Sequence, residues 1–220
     1  MHANTLVHKL WMAFTGLFLC FFLVIHLLGN LQLLLPAERA QLQFNAYSHL
    51  LSGNILIKII SYVLYASIIL HVVYALIITL QNRAANDKGY AKDNRGQVSK
   101  WYSRNMGVLG TIILIFLVIH FRDYWYVYKF GHLPLDSNGD KDLYTLVVSS
   151  FQEGWYVCLY VLCMWALGFH LLHGFYSATR TLGVYHPKYV RWLKQFGWLY
   201  TGCITLGFTL IPIYVYFVNH

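Results

Sequence analysis

Five histidines lie inside long apolar stretches of this 220-residue sequence, where ionisable side chains are uncommon. His26, His71 and His120 each stand alone in such a stretch, and His170 and His173 share a fourth. An imidazole at membrane depth costs free energy, so each one is a candidate functional residue. Neutral imidazoles bind metals, and two that face each other across a helix bundle can hold one haem iron from both sides.

The apolar stretches predict an all-α integral membrane protein with five transmembrane helices. The composition is 58% hydrophobic and only 11% charged, whereas soluble domains are about half apolar and about a quarter charged. Each predicted helix approaches the roughly 20 apolar residues that span a bilayer. The helices are predicted at about residues 9–35, 55–83, 102–130, 151–181 and 192–218 of one domain covering residues 1–220. The first four are expected to form a bundle that binds haem.

The net charge of +8 is explained by topology rather than by a nucleic-acid partner. With the N-terminus inside, most lysines and arginines fall on the cytoplasmic side, which is the usual orientation signal. The polar segment 82–104 lies on that side, either as a solvated loop or as a docking surface for a soluble subunit. The four cysteines lie within the predicted spans and show neither disulfide nor zinc spacing.

Counting residues from the flanking basic residues places the histidines in two layers. His26 and His120 lie 17 and 16 residues from their cations, whereas His71 and His170 lie 12 and 10 residues from theirs. The difference of about five residues corresponds to roughly 8 Å along a helix. Each layer joins two helices that run in the same direction. The sequence therefore predicts one haem between His71 and His170 near the cytoplasm, and another between His26 and His120.

Other chemistries were weighed for the same histidines. Each histidine alone could bridge to a neighbouring helix by a hydrogen bond, which would make the chain a non-redox membrane scaffold or transporter. Zinc needs three or four converging ligands, and no cysteine stands beside a histidine in a ligand motif. No acidic residue is expected inside the helices, which disfavours a proton-pumping transporter. His173, three residues after His170, is expected to support the site rather than to bind the metal.

Four features occur together here: KLWMAFTGLFLCFFLVIHLLGNLQ at residues 9–32, His71, His120, and FHLLHGFYSATRTLG at residues 169–183. Over nearly the whole chain they resemble the cytochrome b membrane subunit of succinate:quinone oxidoreductases, and more narrowly its single-chain, five-helix, dihaem type. The resemblance implies that His71 and His170 bind the inner haem b, and that His26 and His120 bind the outer one.

The same resemblance implies the partners and the location of the chain. A flavoprotein subunit with covalent FAD and an iron–sulfur subunit would dock on the cytoplasmic face of a bacterial inner membrane. Electrons from succinate would pass through iron–sulfur clusters and the two haems to a quinone. Fumarate reductases of this type have a glutamate two residues before the ligand of the fourth helix, where this chain has Gly168. Their acid at the quinol site has only a loose counterpart in Glu38.

Both departures favour succinate oxidation with menaquinone as the electron acceptor. The anchor of a quinol:fumarate reductase, or another dihaem cytochrome b, is the alternative.

The quinone is expected near the outer haem, where the first two helices meet their connecting loop. Five polar residues there are candidates for hydrogen bonds to a quinone carbonyl: Asn30, Gln32, Asn45, Tyr47 and His49. Alternatively, these residues only complete helix ends and loop turns. The connecting segment itself, residues 36–54, is predicted to be a polar loop that ends in a turn.

Cations and glycines complete the predicted haem sites. Arg104 and Arg180 are the nearest cations for the propionates of the inner haem, and Arg122 for those of the outer haem. Gly29 and Gly174 each lie about one helical turn after a predicted ligand and on a similar helix face. Their missing side chains are expected to leave space for a flat macrocycle.

Overall fold

A computed structural model describes residues 2–85 and 100–218, with side chains described from Leu6 onward and not at Ala85. Within these residues the regular secondary structure is helical, apart from a single antiparallel bridge between Leu135 and Lys141. The predicted docking segment, residues 82–104, lies mostly outside the described residues. Its proposed role therefore stays a prediction.

Nine α-helices are described. In chain order they are α1 (His2–Asn30), α2 (Ala37–Gly53), α3 (Ile55–Ala85), α4 (Trp101–Arg104), α5 (Met106–His120), α6 (Val127–Phe130), α7 (Leu143–Ser150), α8 (Gly154–Thr181) and α9 (Val190–Val218). A 3₁₀ turn follows α1 at Leu31–Leu34, and a π-helical segment at Phe121–Tyr126 joins α5 to α6.

Five helical stretches are long and apolar enough to cross a membrane. They are Leu6–Leu34, Ile55–Ala84, Met106–Phe130, Gly154–Thr181 and Val190–Val218. The third stretch contains α5, the π-helical segment and α6. The all-α, five-helix prediction is thus confirmed, and the chain is a multi-pass membrane protein.

Four of the membrane helices form a bundle around the histidines. α1 packs against α3 and α8, and α8 also packs against α5. In this arrangement α1 lies diagonally opposite α5, and α3 lies diagonally opposite α8. Within the described part of the chain, α3 and α5 make no extensive contact with each other, so one side of the bundle is open. The fifth membrane helix, α9, packs on α8 and α1 from the other side.

α8 is the most buried of the five membrane helices, and small residues let its neighbours approach closely. A Cβ atom built on Gly168 would lie 2.5 Å from Thr205 Oγ1 of α9. Small residues at helix interfaces permit such backbone contact in membranes. Gly168, which the sequence singled out as a missing glutamate, is therefore a packing residue of the α8–α9 interface.

The prediction of a polar loop at residues 36–54 was wrong, because most of this segment forms α2. Pro36 lies at its N-terminal boundary. The negative charge of Glu38, in the first turn, interacts favourably with the positive end of the helix dipole. Ala40 and Phe44, four residues apart, are buried and lie on one face of the helix. The polar residues lie largely on the other side, so overall polarity concealed an amphipathic helix that caps one end of the bundle beside α7.

Candidate functional site

The four predicted ligand histidines meet in two pairs inside the bundle. The ring centroids are 5.7 Å apart for His26 and His120, and 6.2 Å apart for His71 and His170. Two imidazoles bound on opposite sides of one metal, at about 2 Å per bond, would hold their ring centroids roughly 6 Å apart. Each pair lies across a diagonal of the bundle, and the partners are those that the sequence predicted. Metal binding itself stays a prediction.

Thr15 of α1 orients the ring of His71. The Thr15 hydroxyl donates to the carbonyl oxygen of Trp11 at 2.8 Å and lies 3.2 Å from His71 Nδ1. Since that hydroxyl has a single proton, the Nδ1–H of His71 must be the donor in the second contact. The Nε2 atom then keeps its lone pair. A hydrogen bond of this kind on the far nitrogen is the usual way in which a metal-binding histidine is held.

Glycines make room for both imidazoles of the second pair. A Cβ atom on Gly16 would lie 3.2 Å from His71 Cε1, and one on Gly110 would lie 3.7 Å from His170 Cε1. His170 Nδ1 is buried and has no hydrogen-bond partner among the described residues. A buried nitrogen without a partner costs about 1–3 kcal/mol. His170 therefore offers an unsatisfied ligand atom in the bundle interior.

The two pairs lie farther apart than the sequence predicted. Gly16 and Gly110 each precede a histidine of the other pair, His26 or His120, by ten residues. Ten residues correspond to about 15 Å along a helix, rather than the roughly 8 Å expected. The count was wrong because Lys9 lies within α1 rather than at its end. Long basic side chains reach the interface from different depths, so they do not mark a common level.

Aromatic rings surround the pair formed by His26 and His120. His26 stacks on Phe22 with ring centroids 5.2 Å apart, and Phe208 of α9 lies 5.6 Å from it. His120 stacks on Phe116 at 5.6 Å. Edge and face contacts of this kind fix ring orientation and keep water away. His120 Nδ1 also lies 3.1 Å from the hydroxyl of Tyr160.

The expectation that no acidic residue lies inside the membrane helices was wrong. Asp123 falls within the third span, Met106–Phe130, in the π-helical segment. Its carboxylate accepts hydrogen bonds from Arg122 Nε at 2.5 Å and from the hydroxyl of Tyr156 at 2.8 Å. In the sequence the uninterrupted apolar run ends at Phe121. The helix nevertheless continues past this point as a π-helical segment, which has no recognisable sequence pattern.

Most of the predicted quinone candidates are occupied by structural contacts. Asn30 Nδ2 donates to the carbonyl oxygen of His26 at 2.8 Å, and the exposed His49 ring pairs with Asp140. Tyr47 packs on Gly29, where a Cβ atom would lie 2.6 Å from its ring. The expectation that Gly29 leaves space for a macrocycle was therefore wrong, because Tyr47 fills that space.

Gln32 and Tyr47 keep side-chain polar groups without a hydrogen-bond partner in the described part of the chain.

The other predicted space, beside Gly174, has nothing within 4 Å of a built Cβ atom among the described residues. Gly174 thus remains compatible with a flat ligand. His173, the second histidine of that helix, is half-buried.

Asn45 is a structural residue of the cap rather than an open quinone ligand. It is 0% exposed. Its Nδ2 donates to Asp136 Oδ2 at 3.0 Å and to Asp142 Oδ1 at 3.1 Å, and its Oδ1 accepts from the Tyr144 backbone N–H at 2.9 Å. Partial burial disfavours the charge of Asp142, but hydrogen bonds from Thr145, Asn45 and Gln41 outweigh it and lower the pKa of that carboxyl. The amide of Asn45 is therefore fully engaged between α2 and the start of α7.

Replacing Asn45 by leucine should destabilise the cap by about 2–4 kcal/mol. The side chain keeps its approximate size, but two carboxylates and one backbone N–H lose a buried partner. Hydrogen exchange of the α2 backbone amides in detergent micelles would measure the change. The control is Gln43→Leu, which removes an exposed amide from the same helix and should leave exchange unchanged. Equal protection in both variants would contradict the structural role of Asn45.

Of the predicted propionate cations, Arg104 and Arg180 lie at the ends of membrane spans, whereas Arg122 lies within the third span. Arg180 stacks over the ring of Tyr185, with its guanidinium carbon 4.7 Å from the centroid. Arg180 and Lys194 lower the pKa of the Tyr185 hydroxyl. The side chain of Arg122 is 72% exposed and engages Asp123, and Arg104 is also exposed.

In the described part of the chain, the histidines of the membrane helices meet in pairs rather than in larger clusters. Within it, no group of three or more His, Cys, Asp or Glu side chains converges in a way that could hold a metal ion. A protein site for zinc would need at least three. Two axial imidazoles suffice only where another molecule supplies the remaining ligands, and a porphyrin does so through its four ring nitrogens. The residues present therefore fit a haem better than a bare ion.

Comparison of the chain with protein-family models, with curated proteins and with solved structures finds no match.

Several residues of the site could not be identified from the sequence. They are Thr15, Gly16, Gly110, Asp123, Tyr156 and Tyr160. The sequence offered one signal for them: Tyr156 and Tyr160 lie four residues apart in a strongly apolar helix. Buried tyrosine hydroxyls normally need a hydrogen-bond partner. Nothing in the sequence indicates which histidine that partner would be.

Proposed function

We propose that this chain is the dihaem cytochrome b anchor of a succinate dehydrogenase, which passes electrons from an iron–sulfur subunit through two haems b to menaquinone. One observation carries the proposal: two histidine pairs lie across the diagonals of one membrane bundle, with ring centroids 5.7 and 6.2 Å apart. His71 and His170 would hold one haem, and His26 and His120 the other.

The surroundings of the histidines support a flat, apolar cofactor. Gly16, Gly110 and Gly174 reduce side-chain bulk beside the pair formed by His71 and His170. The open side between α3 and α5 gives a planar group a place to lie without separating packed helices. Neutral histidines suit a membrane interior, where an uncompensated charge is costly.

The chain's own residues would bind and orient the cofactors. Thr15 holds the ring of His71 with Nε2 available as the ligand atom. Phe22, Phe116 and Phe208 pack around the other pair and exclude water from it. When bound, haem iron supplies one-electron redox chemistry that no amino-acid side chain of this chain provides.

The direction of electron flow and the partners rest on the resemblance. Gly168 supports the branch that lacks the fourth-helix glutamate, because a larger side chain would collide with Thr205 of α9. The flavoprotein with FAD and the iron–sulfur subunit would dock on the cytoplasmic, N-terminal end of the bundle in a bacterial inner membrane. Menaquinone would bind at the capped end, with Gln32 and Tyr47 as the retained candidates for hydrogen bonds.

Purified protein should carry two b-type haems per chain. A dithionite-reduced minus air-oxidised visible spectrum would detect them, and a pyridine haemochrome assay would count them against protein concentration. A colourless preparation from cells supplied with haem precursor would contradict the proposal and favour the non-redox scaffold. Identification of the co-purifying subunits, together with assays of succinate oxidation and fumarate reduction, would separate succinate dehydrogenase from the alternative anchors.

A further inference from the structure

A chain of four hydrogen-bonding groups connects His120 to a carboxylate near the capped end of the bundle. His120 Nδ1 lies 3.1 Å from the Tyr160 hydroxyl, which lies 3.2 Å from the Tyr156 hydroxyl. The Tyr156 hydroxyl donates to Asp123 Oδ2 at 2.8 Å. The other carboxylate oxygen, Oδ1, accepts from Arg122. We name these four contacts the Asp123–His120 relay.

The carboxylate at one end fixes the position of every proton in the relay. A carboxylate paired with a guanidinium only accepts, so the single hydroxyl proton of Tyr156 points to Asp123. The contact between the tyrosines then needs the proton of Tyr160. Tyr160 consequently has only a lone pair left for the last contact, and the proton in that contact must come from His120 Nδ1. Because the buried Tyr124 hydroxyl makes no hydrogen bond among the described residues, no other arrangement gives each of these contacts one proton.

We propose that Asp123, Tyr156 and Tyr160 are positioning residues that hold His120 in the tautomer with Nδ1 protonated and Nε2 free to bind iron. This inference rests on the proposed function for its cofactor, but its protonation pattern concerns the chain alone. The relay differs from the contact at His71, where the acceptor is a neutral hydroxyl that leads to a backbone carbonyl.

The relay is held rigidly by its surroundings. Tyr156 and Tyr160 are both buried and lie one turn apart on α8. Phe116 and Phe151 meet the Tyr160 ring edge-on, with centroids 4.9 and 5.0 Å away. Such contacts restrict ring rotation. Asp123 reaches Tyr156 from the π-helical segment, whose wider turns are common where a helix serves a functional site.

The relay should give the two haems different reduction potentials. A hydrogen bond from the far nitrogen of a ligating histidine raises the electron-donating strength of that ligand, and hydrogen bonding around haem ligands is one lever on the reduction potential. At His120 the acceptor is the Tyr160 hydroxyl, which the Asp123 carboxylate polarises through Tyr156. A stronger donor favours ferric iron. The haem between His26 and His120 should therefore have a lower potential than it would have without the relay.

Tyr160→Phe tests the inference, because it removes the hydroxyl that contacts His120 and keeps the ring. In protein prepared without haem, ¹⁵N NMR of labelled histidines should assign the Nδ1–H tautomer to His120, and the variant should lose this preference. In haem-loaded protein, potentiometric titration should show one haem shifted to a more positive potential and the other unchanged. The low-spin electron paramagnetic resonance signal of the shifted haem should change as well.

Tyr65→Phe is the matched control. Its hydroxyl accepts a hydrogen bond from Trp125 at 2.8 Å, so it contacts the same π-helical segment without touching the relay. This variant should leave the tautomer and both potentials unchanged. If Tyr160→Phe does not fold, Tyr156→Phe keeps the contact with His120 but disconnects the carboxylate, and should produce a smaller shift in the same direction.

The outcomes separate the two proposals. Absence of haem from the wild-type protein contradicts the proposed function, while the tautomer measured in haem-free protein still tests the relay. If the wild type binds haem but neither relay variant shifts a haem potential, the relay is overturned and the proposed function stands. An Nε2–H tautomer of His120 in haem-free wild type also overturns it.

Discussion

Replacing His71 or His170 by alanine should remove one haem from the protein, and replacing His26 or His120 should remove the other. Each variant is expected to retain one haem per chain, because the two pairs use different diagonals of the bundle. Loss of one of two axial ligands leaves a buried haem with an unsaturated iron and weak retention. Partners within a pair should yield the same residual spectrum.

Reduced-minus-oxidised spectra and haem counts on the four single variants would check this expectation. His173→Ala is the control, since it removes an imidazole from α8 three residues after His170 and should keep both haems. Loss of the same spectral component from His26→Ala and His71→Ala would contradict the pairing. Loss of one haem from His173→Ala would transfer the ligand role from His170 to His173.

The histidine pairing was predictable because it depends on helix direction, which hydropathy alone fixes. Spans of about 20 apolar residues alternate in direction across a bilayer, so only certain histidines can lie at a common depth. The pairing survived an error in absolute depth, since the position of Lys9 within α1 changes only the count for His26 and leaves the order of the two layers unchanged. The order of the histidine layers along the membrane normal is thus easier to predict from sequence than the distance between them.

The cap and the relay could not be predicted, and the physical reasons differ. α2 was missed because its polar residues outweigh a narrow apolar face formed by residues such as Ala40 and Phe44. The Asp123–His120 relay was missed because it joins two helices through side chains 33 to 40 residues apart. Such contacts depend on helix rotation, and a π-helical segment alters rotation without a sequence signal.

The structure also changes which residues are expected to influence each haem. From sequence, Gly16 and His26 belong to one helix. In the structure, Gly16 lies against the ring of His71, the ligand of the other pair. Gly110, which lies on α5 with His120, likewise lies against the ring of His170. Each of these helices would therefore contribute a ligand to one proposed haem and space to the other.

Gly16→Leu should abolish the haem bound by His71 and His170 and spare the haem of His26 on the same helix. A Cβ atom at Gly16 would already lie 3.2 Å from His71 Cε1, so the rest of a leucine side chain would occupy the imidazole's position. Leucine favours helix by about 1 kcal/mol over glycine, so lost helicity would not explain the defect. Gly16→Ala should retain this haem with an altered spectrum, since the ring needs to move only slightly.

Gly107→Leu provides the control for Gly16→Leu, because a Cβ atom there meets nothing within 4 Å among the described residues and the residue is exposed on α5. Haem counts and spectra of both variants, compared with those of the histidine variants, would decide the assignment. If Gly16→Leu removed the component lost in His26→Ala, the two pairs would lie at depths other than those described. Gly16 precedes His26 by ten residues, or about 15 Å along the helix, so selective loss of the His71 component is the expected result.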